Sequence, residues 1–325
     1  MLSAPLLLGL LTFVILVPWG PWVIDLLLRH HVGKNIRFDG PAGHQSKAGT
    51  ATMGGLYFLA GITLVTALAA LAGYTRALLP LGAMLAFGAL GAYDDWKGLR
   101  DSQGVGWLAR AKFPVQWALG FILAGLMYAL SGAADTILPI SGRAVSIGLW
   151  FVPIAAFIIV ALANAVNLTD GLDGLAGGLA AIAYGAVGII LALDGQRDLA
   201  LFCLAVAGAL LAFLWFNVHP ARLFMGDVGS EALGAGLAAV ALYSGYWLLL
   251  PVAGIVFVAE ALSVMLQVSY FKYTRRKYGE GRRVLRMAPL HHHFELGGWA
   301  ETQVTMRFWI AGGLAALLAL TLGVS

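Results

Sequence analysis

Five short stretches of the chain combine residue types that do chemistry together. The first is His44-Gln-Ser-Lys47-Ala-Gly49-Thr50-Ala-Thr52-Met-Gly54-Gly55. Exposed N–H groups, a cation and backbone open to close approach suit a phosphate or diphosphate. An interfacial lysine, with Thr50 or Thr52 capping a helix, is the plainer alternative. The second is Asp94-Asp95, after Gly91-Ala-Tyr93. Adjacent carboxylates repel and call for a cation or a proton. Such a pair either holds Mg2+ or moves a proton, or it is a solvated helix end paired with Lys97 or Arg100.

The third stretch, Asn164-Ala-Val-Asn167-Leu-Thr169-Asp170-Gly-Leu-Asp173-Gly174, has five polar side chains and no Lys or Arg. That many oxygen ligands suit Mg2+ or a hydrogen-bonding site for a sugar or base. The alternative is two capped helix ends. Asp170 and Asp173 would share a face if the next helix has begun there. The fourth, Asn217-Val-His219-Pro-Ala-Arg222-Leu-Phe224-Met-Gly226-Asp227-Val-Gly229-Ser230, places Asp227 between glycines at a helix start. Asp227 either caps that helix or helps to hold a metal beside a phosphate. The fifth is Ala288-Pro-Leu-His291-His292-His293-Phe294-Glu295, followed by Trp299, Glu301 and Arg307. Three consecutive histidines cannot all face one zinc from a helix, but histidine can donate to phosphate oxygens or polarise a leaving group. Glu260 stands apart as a lone carboxylate in an apolar run, functional or paired by default. The basic run from Lys272 to Arg286 reads as a positive-inside anchor that also attracts anionic headgroups.

The elements that must position these residues are set by composition. Of the 325 residues, 60% are hydrophobic and 11% charged, against about 25% charged in globular domains. Apolar runs of roughly 20 residues recur, the length that crosses a bilayer as a helix. A soluble enzyme, a disordered protein and a disulfide scaffold are excluded, and the single Cys203 permits no internal disulfide. A cleavable leader is not expected, since residues 1–24 carry no Lys or Arg.

Hydropathy gives ten spans, at about 3–24, 52–73, 77–93, 113–131, 146–166, 174–193, 199–216, 231–246, 247–270 and 306–324. With the N-terminus outside, only Arg76, Arg143 and Arg197 of the 20 Lys and Arg face out. The positive-inside rule therefore sets the orientation. Of the 16 acidic residues, only Asp135, Asp194 and Asp198 face out, so the chemistry concentrates on the cytoplasmic face. The expected fold is all-α: one polytopic membrane domain over residues 1–325 with ten transmembrane helices and both termini outside. Phosphoryl transfer fits this ensemble, because it needs Mg2+, positioning and cations more than covalent help.

On these motifs the chain resembles the phospho-N-acetylmuramoyl-pentapeptide-transferase family, within the polyprenyl-phosphate N-acetylhexosamine-1-phosphate transferase superfamily. The matching stretches are Lys47 to Gly55, Asp94-Asp95, Asn164 to Ala176, Phe224 to Ser230, and Ala288 to Glu295 with Gly298-Trp299. The histidine run favours the MurNAc-pentapeptide branch. The resemblance implies transfer of phospho-MurNAc-pentapeptide from UDP-MurNAc-pentapeptide to undecaprenyl phosphate, giving lipid I and UMP in peptidoglycan synthesis. It also implies a Mg2+ requirement, a multi-pass place in the bacterial inner (plasma) membrane and a homodimer, with no nucleic-acid partner.

Residue roles carried by the same motif match make Asp227 a Mg2+ ligand and Asp94 the group that deprotonates the lipid phosphate, with Asp95 beside it. Asn167, Asp170 and Asp173 would line the nucleotide and diphosphate pocket, with Asn217 and Phe224 near the uridine. Lys47 and Thr52 would contact substrate phosphates. His291 and His292, with His293 next to them, would act on the phosphate or sugar side. The chain departs from the family pattern at Ala51, where proline is usual, and at Gly98, where a lysine is usual and Lys97 stands one position early. The loop Tyr273–Arg286 is also longer than in many relatives. A sibling enzyme using another UDP-N-acetylhexosamine differs only in donor preference. A cation-coupled transporter using Asp94, Asp170 and Glu260 would spread carboxylates through the membrane depth, whereas here they gather at the inner edge.

Overall fold

The computed structural model describes residues 2–33, 49–101, 106–131 and 135–324. Lys47 and the start of the first motif, residues 44–48, lie outside the described residues. Apolar, Ala- and Leu-rich sequence forms helices α1 (Ser3–Leu16), α2 (Gly20–Arg29), α3 (Gly55–Leu71), α4 (Leu78–Arg100) and α5 (Ala109–Ser131). A short hairpin, β1 (Asp135–Ile137) with β2 (Ala144–Ser146), follows. Then come α6 (Phe151–Thr169), α7 (Leu175–Leu193), α8 (Arg197–Asn217), α9 (Asp227–Ser244), the single turn α10 (Leu250–Ala253), α11 (Ile255–Tyr278), α12 (Leu290–Glu295) and α13 (Glu301–Val324).

Seven of the described helices are long and apolar enough to cross a membrane; α1 and α2 count as one, continuous from Ser3 to Arg29. The protein is an all-α polytopic membrane protein, with the hairpin as a small exception. Burial is arranged as a bilayer requires. Helices α8 and α9 are buried along most of their length. The outer helices expose Leu6, Leu10, Leu262, Met265, Leu314 and Leu317, apolar surface that only lipid covers at low cost.

Helix α9 is the axis of the site, packing against α4 and α6. Small residues let it approach closely. A Cβ on Gly91 of α4 would lie 2.2 Å from the Asp227 carbonyl oxygen, so glycine there brings the Asp94 turn against the start of α9. Gly226, at φ +74°, turns the chain into α9 in a conformation that costs glycine little.

Three sequence expectations change. Helix α4 runs past residue 93 to Arg100, and α11 past residue 270 to Tyr278. A helix leaving a membrane need not end there, so hydropathy marks the bilayer edge and not the helix end. Residues Lys272–Lys277 therefore sit on helix. Finally, α6 ends at Thr169 and α7 starts at Leu175, so Asp170 and Asp173 lie in a turn and share no helical face.

Candidate active site

Four helices bring one ionic cluster together at the first turn of α9. Asp94 is buried at 8% exposure near the end of α4, and Lys112 begins α5. The Lys112 ammonium contacts the Asp94 and Glu231 carboxylates and lies 2.7 Å from Asp227 Oδ2. The Trp107 N–H also donates to Asp94. From α6, Asn167 Nδ2 donates to Asp227 Oδ1 at 2.8 Å and to Ser230 Oγ at 3.0 Å. A polar chain continues inward. Gln116 donates to Glu231 at 3.2 Å, and Asn164 donates to Gln116 at 2.9 Å.

The structure resolves the repulsion within Asp94-Asp95. Neighbouring helical residues point about 100° apart, so the two carboxylates meet different partners. Asp94 faces Lys112, whereas Asp95 accepts the N–H groups of Asp227 and Val228, each at 3.0 Å. Asp95 thus caps α9 from a neighbouring helix, satisfying two of the orphan donors at its start.

Carboxylate oxygens of Asp94, Asp227 and Glu231 lie within 4.8 Å of one another. All-oxygen donors of this kind match a hard divalent cation such as Mg2+, and the Asp227 side chain is 32% exposed, open to a ligand from outside. The residues fit a metal ion, and three carboxylates against one lysine leave the cluster net negative. Lys112, Gln116 and Glu231 do not stand out in the sequence alone. Glu231 carried a usable signal, since it lies four residues after Asp227 and so on the same helical face.

A second polar group surrounds the α6–α7 turn. Asp173 Oδ2 accepts from Ala221 N–H at 3.1 Å and lies 3.1 Å from His219 Nδ1. The Asp173 N–H donates to Glu301 at 2.8 Å. Asn217 accepts from Gly174 N–H and donates to the Leu223 carbonyl. Asp173, His219 and Glu301 form another set of side chains close enough to hold a metal. Phe224 is half-buried beside the first motif: its N–H donates to Ala51 at 2.8 Å, and Gly54 N–H donates to its carbonyl at 2.8 Å. Thr52 is buried in the same place.

The three histidines have three different surroundings. His291 is fully buried and lies 3.2 Å from Glu260 Oε1 through Nδ1. His292 Nδ1 lies 2.7 Å from Glu295. His293 Nδ1 accepts from Arg286 N–H at 3.1 Å. Burial holds the His291 imidazole below its ordinary basicity, against the opposing pull of Glu260. The turn after α6 joins the two halves: Asn167 reaches the Asp227 cluster, while Gly171 lies against His291.

Residues 77–245, which carry α4 to α9 and the whole ionic cluster, match the family described as Glycosyl transferase family 4. Relatives named phospho-N-acetylmuramoyl-pentapeptide-transferase match over nearly the full chain. One from Chloroflexus aurantiacus is 48% identical, covering 99% of this chain and 90% of the relative. One from Chloroflexus aggregans is 46% identical at the same coverage. One from Desulforapulum autotrophicum is 44% identical over 96% of this chain and 90% of its own. The chain belongs to the phospho-N-acetylmuramoyl-pentapeptide-transferase family.

Proposed function

We propose that the protein transfers phospho-MurNAc-pentapeptide from UDP-MurNAc-pentapeptide to undecaprenyl phosphate, forming lipid I and releasing UMP. The observation that carries this reading is the convergence of Asp94, Lys112, Asn167, Asp227 and Glu231 on the first turn of α9. Transfer of a charged phosphoryl group relies on positioning and on charge placed where the reaction develops it. An oxygen of the lipid phosphate forms a bond to the sugar-bearing phosphorus. The bond from that phosphorus to the bridging oxygen breaks, and the oxygen leaves with UMP.

Asp94 takes the proton of the lipid phosphate, and Lys112 holds Asp94 and Asp227 in register. Asp95 fixes the start of α9, so that Asp227 keeps its place. Asp227, with Asp94 and Glu231 beside it, would hold Mg2+, which supplies charge neutralisation at the diphosphate oxygens. Asp170, Asp173, Asn217 and Phe224 line the nucleotide side, Thr52 and Lys47 the phosphates, and His291, His292 and His293 the phosphate or sugar side.

Taking α3, α4 and α9 as crossings beside the seven long apolar helices makes ten in one domain, and the excess of Lys and Arg in the inner loops supports both termini outside with the site on the cytoplasmic face. A multi-pass place in a bacterial inner membrane and a homodimer complete this reading, as the family resemblance implies. The test of the donor is UMP release by the purified protein with undecaprenyl phosphate and Mg2+. Release from UDP-MurNAc-pentapeptide and not from UDP-GlcNAc, stopped by EDTA, is expected. The reverse preference would move the chain to a sibling branch.

A further inference from the structure

Glu260, on α11, is fully buried and lies outside the ionic cluster. A carboxylate so placed has to be hydrogen-bonded or paired. Its Oε2 accepts the Leu290 N–H at 2.6 Å. Its Oε1 accepts the His291 N–H at 3.2 Å and lies 3.2 Å from His291 Nδ1.

Two further α11 side chains hold the same returning segment. Gln267 Oε1 accepts from Val284 and Leu285 N–H at 3.1 and 3.0 Å, and its Nε2 donates to the Leu285 carbonyl at 3.1 Å. Thr274 Oγ1 accepts from Arg282 N–H at 2.8 Å. Glu260, Gln267 and Thr274 are spaced by seven residues, about two turns, and so share one helical face. This stripe pins residues 282–291 along α11 and sets where His291 arrives.

N–H donors aimed at both Glu260 oxygens match an ionised carboxylate, which only accepts. A carboxylate oxygen facing Nδ1 is matched by a proton on that nitrogen, an arrangement that leaves the other ring nitrogen to the site. That atom, Nε2, is buried and has no hydrogen-bond partner among the described residues. It faces the turn after α6: a Cβ added to Gly171 would lie 2.2 Å from it, so only glycine at 171 leaves Nε2 its space. A buried polar nitrogen without a partner is costly, and a ligand donor at this turn removes the cost.

We propose that Glu260 is a positioning residue for the transfer: it fixes the Nδ1–H tautomer of His291 and presents Nε2 as a hydrogen-bond acceptor at the α6–α7 turn. This rests on the placement of His291 in the active site proposed above. Glu260 touches no substrate and acts through the imidazole, much as second partners of histidine fix its tautomer elsewhere.

The experiment pairs histidine 15N NMR of the detergent-solubilised protein, with His291 assigned by a His291→Gln variant, with kinetics of Glu260→Gln. The wild type is expected to show Nδ1 protonated and Nε2 bare. In Glu260→Gln the proton moves to Nε2, turnover falls about a hundredfold and KM for the UDP-linked donor stays within about twofold. Adding Glu260→Gln to His291→Gln lowers turnover no further. A protonated Nε2 and bare Nδ1 in the wild type overturn the proposal, and that spectrum decides even if Glu260→Gln does not fold. An unchanged tautomer in a folded Glu260→Gln, or a turnover loss that adds to that of His291→Gln, overturns it too. A wild type inactive with every UDP-linked donor defeats the functional reading instead, while the spectra still decide the tautomer.

Discussion

Asp227→Asn is expected to lower turnover about a thousandfold while the protein folds and purifies as the wild type does. The side chain lies where Lys112, Asn167 and the Asp95-capped start of α9 meet. Asparagine keeps the shape and one oxygen to accept from Asn167. It loses the negative charge with which the site would hold a divalent cation, and removing one preorganised electrostatic group from a reacting centre costs about 10²–10³ in rate. Turnover at saturating donor, measured beside thermal unfolding in detergent, checks this. Near-normal turnover would remove Asp227 from the metal-ligand role.

Lys112→Met is expected to give the largest loss of stability. One ammonium, 11% exposed, serves three carboxylates, and the Glu231 side chain is only 1% exposed. Taking out the cation leaves Asp94, Asp227 and Glu231 facing one another. Breaking a buried ion pair from one side costs about 3–5 kcal/mol. The expected readout is an unfolding temperature lower by several degrees in EDTA, part of which Mg2+ restores by supplying the missing charge. Adding Glu231→Gln to Lys112→Met should also recover part of the loss. A Lys112→Met protein that unfolds with the wild type in EDTA would contradict the shared-cation account.

Much of this architecture is legible in the sequence. Runs of apolar residues near the bilayer length mark the helices, because in lipid the backbone must satisfy itself internally. The five polar motifs stand out because polar groups in so apolar a chain need a reason. What the sequence withholds is pairing over distance. Lys112 reads as one more inner-side cation, and nothing local says that it meets Asp227, 115 positions away. Asp94-Asp95 reads as two equivalent carboxylates, and only the approach of α9 divides them into an ionic-cluster member and a helix cap. Glu260 reads as a lone intramembrane charge. Its partner is a segment that folds back along α11, and the seven-residue spacing to Gln267 and Thr274 carries no meaning until that segment is seen. The hairpin of β1 and β2 is equally silent, since three-residue strands leave almost no periodicity to read.

The most direct test of the central claim follows both products at once. Purified protein, UDP-MurNAc-pentapeptide, undecaprenyl phosphate and Mg2+ should yield UMP and an organic-extractable phospho-MurNAc lipid in equal amounts, both absent in Asp227→Asn. UMP without the lipid product, or lipid product undiminished in Asp227→Asn, would contradict the assignment of phosphoryl transfer to the cluster at the start of α9.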